Sequence, residues 1–166
     1  HDPEVAEWVG RGRSFNLADQ RRMGEKQREI LSKVLPEYQK FAASGQIEIS
    51  TTPYYHPILP LLCDSNIAGV SHPGVPLPPR FKYPQDARRQ LRMAREFIQE
   101  NFGVAPVGLW PSEGSVSDEV FTIAADLGFE WAATDNGVLN RSLGRGVGVD
   151  GLYRPYRWRQ EGRALG

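Results

Sequence analysis

A chain of 166 residues can hold one ordinary domain and falls short of what a closed eight-stranded β/α barrel needs. Lysine plus arginine equals aspartate plus glutamate at 20 each, so no net field draws nucleic acid or an anionic membrane surface. The single cysteine, Cys63, excludes an internal disulfide and reads, within Leu61-Leu-Cys-Asp64, as a small buried hydrophobe. No apolar run reaches transmembrane length and no signal peptide opens the sequence, which sets the expectation of a cytoplasmic protein.

The first strongly periodic stretch runs from about Asp19 to Ser44. Ile30, Val34, Tyr38 and Phe41 recur at helical spacing, Gly45 suits a C-terminal stop, and Pro36 predicts a kink or two abutting helices. Gln46–Thr52 alternates Ile47 and Ile49 with Glu48 and Ser50 and predicts a short strand with one polar face. Residues 53 to 84 hold eight prolines and little periodicity, which reads as a long, stiff, ordered loop. A helix follows from about Pro84 to Asn101, with Pro84 at its first position, Ala87, Leu91, Ala94 and Ile98 as its stripe, and Gly103 as its terminator. Its Arg88, Arg89, Arg92 and Arg95 fall on the opposite face and read as solvated.

Val104–Trp110 predicts a second strand, followed by a tight Pro-Ser-Glu-Gly turn. A helix begins near Val116, with Ser115 and Asp118 spaced as a capping box and Val120, Ile123, Ala124 and Leu127 on its buried face. Trp131–Thr134 predicts a third strand, Asp135-Asn-Gly137 a turn, Gly144–Gly151 a loop, and Leu152–Trp158 a last strand interrupted by Pro155. Strands alternating with helices imply an α/β fold with parallel strands and crossover helices. A half-barrel and an open doubly wound sheet fit that pattern equally.

In β/α folds the chemistry gathers at the carboxyl ends of the strands. That rule selects Thr51–His56, Trp110–Glu113 and Thr134–Gly137. Glu113, on a strand-to-helix turn near the positive end of a helix dipole, suits a carboxylate that attacks or stabilises a sugar cation, and also suits a plain helix cap. Trp110 reads as a sugar-stacking platform or a core tryptophan. His56, beside Tyr55, has hydrogen bonds to offer sugar hydroxyls, and Asp135 reads first as a turn residue. His72 reads as structural. His56, His72, Cys63, Asp64 and Asp135 match no compact metal-ligand spacing, so neither metal nor cofactor is expected.

Two longer stretches carry a resemblance. Gly45-Gln-Ile-Glu-Ile-Ser-Thr-Thr-Pro-Tyr-Tyr-His-Pro-Ile-Leu-Pro-Leu-Leu62 and Gly108-Leu-Trp-Pro-Ser-Glu-Gly-Ser-Val-Ser-Asp-Glu119 resemble the second and third conserved regions of glycoside hydrolase family 57, the amylopullulanase, α-amylase and glucanotransferase group. Ser71–Gly74 and Phe129–Gly137 are also similar to that family, and the resemblance extends from about Lys26 to Gly166. It implies an α/β fold of incomplete (β/α)7 TIM-like barrel type, with residues 1–166 forming one partial barrel domain truncated at both ends. It implies retaining chemistry on α-linked glucans such as starch or glycogen, with Glu113 as nucleophile and His56, Trp110, Tyr55 and Asp135 lining the sugar site. The family's opening His-x-Pro region has no counterpart here. Its acid/base aspartate is expected on a strand beyond Gly166, so the fragment alone is expected to be inactive. Two alternatives are a metal-dependent deacetylase or mannosidase-like enzyme using His56, His72 and an aspartate, and a non-catalytic carbohydrate-binding domain.

Overall fold

The computed structural model describes residues 2–166, and the chain forms two compact units, residues 1–40 and 41–166. Among the described residues no helix is long and apolar enough to cross a membrane.

The first unit opens on a helix ahead of the expected one, α1 (Pro3–Arg11). Asp2 caps it by accepting from the amides of Glu4 and Val5, Pro3 occupies its first turn, and Gly12 ends it in the left-handed conformation. Helix α2 (Leu17–Leu31) begins at Asn16 with a complete capping box to Asp19. The anticipated break comes at Ser32 and Lys33, after which α3 (Val34–Ala43) starts. Pro36 is the third residue of α3, where its missing amide donor costs nothing to the helical ladder. Charge links α1 to α2: Lys26, 8% exposed, reaches Asp2, Glu4 and Glu29 at 3.2, 3.0 and 3.0 Å, and Arg22 pairs with both oxygens of Glu4.

The second unit is built on three parallel strands, β1 (Ser50–Thr51), β2 (Gly108–Leu109) and β3 (Trp131–Ala132), in the order β1-β2-β3. Each is shorter than its apolar pattern predicts. Pro53 follows β1, while Pro106 and Pro111 bracket β2, and a proline cannot donate to a ladder. Single bonds carry the pairing a little further, from Trp110 N to Thr51 O (2.8 Å) and from Ala133 N to Leu109 O (3.0 Å). Gly166 makes both bonds of a parallel pair with the far side of β3: its amide donates to Glu130 O (2.9 Å) and its carbonyl accepts from Ala132 N (3.2 Å).

One face of this sheet is covered by helices. The stiff loop contains α4 (Leu59–Cys63), a 3-10 turn at Ser65–Ile67 and α5 (Ala68–Ser71). Helix α6 (Pro84–Phe102) matches its predicted span, with Pro84 in the first turn and Gly103 left-handed at φ 78°. Helix α7 (Asp118–Asp126) is capped by Ser117, whose hydroxyl accepts from the Val120 amide, and not by Ser115. Ser115 is instead tied into the preceding turn through its amide and Ser112 O. Leu59 and Cys63 of α4, Ala87 and Leu91 of α6, and Val120, Ile123 and Ala124 of α7 close the core over Leu109. Full burial of Leu59, Leu91 and Leu109 stabilises by about 1.5–3 kcal/mol each relative to exposure.

Two of the helix arginines are not merely solvated. Arg88 donates to Asp126 (3.0 Å), and Arg95 bonds the Leu127 carbonyl, because the last carbonyls of α7 lack helical acceptance and α6 lies alongside.

The C-terminal third differs most from expectation. Asp135 does not make the expected turn; it caps α8 (Asn136–Leu143), accepting from Val138 N at 2.9 Å. The glycine-rich segment holds α9 (Gly148–Leu152), so Leu152 ends a helix and does not begin a strand. The strands here are β4 (Trp158–Gln160) and β5 (Arg163–Leu165), an antiparallel hairpin. Glu161 and Gly162 both have positive φ, as a two-residue hairpin turn of the right twist requires. Trp158 docks the hairpin on α7 by donating to Asp118 (2.8 Å) and packing edge-on to Phe121.

Candidate active site

Side chains alternate along a strand, so Leu109 and Ala132 face the helices while Ser50, Gly108 and Trp131 share the opposite face. Trp131 lies flat across that face. A Cβ on Gly108 would stand 2.1 Å from its ring, so only glycine permits the crossing. The indole then reaches Glu48 and donates to it at 2.6 Å.

The carboxyl ends of β1, β2 and β3 all lead into the segments selected from the sequence. After β1, Pro53 O accepts from His56 N (2.9 Å), closing a turn that leaves His56 at φ 57°. After β2, Pro111 and Ser112 are buried and Glu113 stands at φ 54°. Left-handed backbone costs an ordinary residue roughly 1–2 kcal/mol, so both chain segments hold a strained residue at one place. These two residues meet: His56 Nε2 lies 3.1 Å from Glu113 Oε1. The other ring nitrogen, Nδ1, lies 3.0 Å from Thr52 Oγ1.

Glu113 does not cap a helix. Helix α7 starts only at Asp118, Ser117 holds its cap, and the Glu113 side chain is 73% exposed. Trp110 is not a core residue either, at 60% exposed. Its backbone amide is fixed on Thr51 O, which leaves the ring at the strand end. Tyr55 is exposed, with its amide held by the Gln90 side chain (2.8 Å) and its ring edge-on to Tyr54.

The segment after β3 supports the Glu113 turn from the other side. Thr134 Oγ1 donates to Gly114 O (2.8 Å), and Asp135 Oδ2 lies beside Gly114. Ser112, 1% exposed, has a hydroxyl with no hydrogen-bond partner among the described residues. His72 pairs with Ser71 and is not brought to His56. Among the described residues no three of the His, Cys, Asp and Glu side chains are grouped to hold a metal. Cys63 is buried, and burial pushes its thiol up to about 12, which makes it an unreactive core residue.

The two stretches that meet through His56 and Glu113 lie within residues 6–165, which match the sequence profile of glycosyl hydrolase family 57. The chain belongs to that family. It is also similar to Alpha-amylase 1 of Dictyoglomus thermophilum (strain ATCC 35947 / DSM 3960 / H-6-12), 26% identical over 110 residues. That match covers 64% of this chain and 13% of the amylase, so the chain spans about one eighth of its curated relative. No solved structure matches it.

For this family 57 chain, sequence reasoning located Glu113, His56, Trp110, Tyr55 and Asp135 at the strand ends but passed over Thr52 and Thr134. Both are hydroxyl residues inside the selected segments, immediately after β1 and shortly after β3, and that placement is a usable signal. What each hydroxyl touches depends on how the loops fold back.

Proposed function

We propose that this family 57 chain is the nucleophile-bearing part of a retaining glycoside hydrolase or glucanotransferase acting on α-linked glucans. The observation that carries the reading is the 3.1 Å contact between His56 and Glu113, which joins the two family-like stretches at the carboxyl ends of adjacent parallel strands. Support for the α-glucan substrate comes from the likeness to an alpha-amylase.

In this reading Glu113 is the nucleophile. His56 takes Oε1 and leaves Oε2 to attack the anomeric carbon, forming a glycosyl ester as the leaving-group oxygen accepts a proton. Water, or a second sugar hydroxyl in a transferase, then displaces the ester. The proton comes from a second carboxyl about 5–5.5 Å from the first, as a retaining mechanism needs. Trp110 and Tyr55 offer exposed ring faces to sugar, and Asp135 stands beside Gly114 as a further polar wall. The supporting fold is a partial (β/α)7 barrel whose parallel strands come from residues 41–166. Strands β1, β2 and β3 add in chain order, and Gly166 pairs next to β3. That progression fits a barrel better than a doubly wound sheet, whose order reverses.

The test is product analysis from maltooligosaccharides with the protein that contains this sequence and its Glu113→Gln variant. We expect cleavage or transfer with retained anomeric configuration, abolished by the substitution. Undiminished turnover in the variant removes Glu113 from the nucleophile role.

A further inference from the structure

Thr52 occupies the position between β1 and the turn that presents His56, and its hydroxyl meets the ring nitrogen facing away from Glu113. A neutral imidazole has one N–H donor and one lone-pair nitrogen, and the hydrogen bond made by one nitrogen sets the state of the other. A nucleophilic carboxylate accepts only, so the contact to Oε1 forms only in the tautomer that carries its proton on Nε2. Nδ1 then needs a donor. Thr52 Oγ1, half-buried at the strand end and 3.0 Å away, is the group placed to supply it.

The left-handed backbone of His56 bears on this arrangement. It folds the ring back over its own turn, so that residues 52 and 56 meet side chain to side chain while Pro53 O holds the His56 amide. The result is a chain of three side chains, hydroxyl to imidazole to carboxylate, spanning the ends of β1 and β2. Resting on the reading of Glu113 as nucleophile, we infer that Thr52 is a positioning residue. Its hydroxyl donates to His56 Nδ1, fixes the Nε2–H tautomer and holds that proton on one oxygen of Glu113, so that the other oxygen is the one presented to sugar.

The experiment is long-range proton–nitrogen NMR of the histidine rings in this chain at about pH 8.5, two units above the ordinary imidazole value. His56 is assigned from a His56→Gln spectrum. Expected for the wild type is one tautomer, with pyrrole-type Nε2 and pyridine-type Nδ1. Thr52→Val removes the donor at constant shape and is expected to move both nitrogens toward averaged positions. Thr52→Ser restores the hydroxyl and is expected to return the wild-type pattern. An Nδ1–H tautomer in the wild type overturns the inference, as does a wild-type pattern in Thr52→Val or an averaged one in Thr52→Ser. Thr52→Ala, which cannot overpack, replaces valine if that variant does not fold. Sugar turnover is not read here. Failure of the catalytic reading therefore appears only in the Glu113→Gln products, and failure of the positioning role only in these spectra.

Discussion

The backbone at Glu113 allows a stability test that separates strain from chemistry. At an ordinary helical or extended position, alanine is more stable than glycine by roughly 0.5–1 kcal/mol, because glycine loses more freedom on folding. Glu113 sits at φ 54°, where any residue with a Cβ costs roughly 1–2 kcal/mol and glycine costs none of that. The two effects oppose, and the second is larger. Glu113→Gly is therefore expected to be more stable than Glu113→Ala by about 0.5–1 kcal/mol, a reversal of the usual sign. Both variants lose the contact to His56, so that contact cancels in the comparison. For a domain of this size the difference corresponds to about 1–4 °C in Tm. Thermal and urea unfolding measure it directly. Glu119, exposed on α7 with helical backbone, serves as the control, and its alanine variant should exceed its glycine variant. If Glu113→Ala matches or exceeds Glu113→Gly while the Glu119 pair behaves normally, the positive φ and the strain argued from it are wrong.

Packing and charge give two further expected outcomes. Gly108→Ala should cost about 1–3 kcal/mol, since its Cβ displaces the Trp131 ring and with it the bond to Glu48; urea midpoints check this, and a change under about 0.5 kcal/mol contradicts the crossing. The Arg80 guanidinium, with help from the Asn66 amide, draws the Asp64 carboxyl down to about 2 from 3.8. A lowered folded value means that this stabilisation is full above pH 3.8 and is lost as pH falls toward about 2. The Tm gap between wild type and Asp64→Asn should accordingly be widest near neutral pH and close across that interval; a constant gap excludes the linkage.

Local chemistry in the sequence was enough to place several elements. Pro84, the 87-91-94 stripe and Gly103 mark α6 from end to end, because a first-turn proline, a helical stripe and a left-handed stop act within a few residues of each other. The strand-end rule likewise put Glu113, His56, Trp110, Tyr55 and Asp135 in the loops after β1, β2 and β3. The C-terminal third was not legible in the same way. Asp135-Asn-Gly137 suits a turn and a helix cap equally, and the helical winding of residues 138–143 decides for the cap. Pro155 splits the segment 152–158, and Glu161-Gly162 lacks the asparagine or aspartate that usually marks a two-residue hairpin.

What the sequence determined by itself was the inventory at the rim and the family-like motifs around Glu113 and His56. Which nitrogen of His56 faces Glu113, that Trp110 is exposed, and that Ser117 relieves Glu113 of a capping role were decided by the tertiary structure. The reason is one of range. Caps, stops and turns are settled between neighbours a few residues apart, whereas His56 and Glu113 are 57 residues apart and meet only because β1 and β2 pair in register.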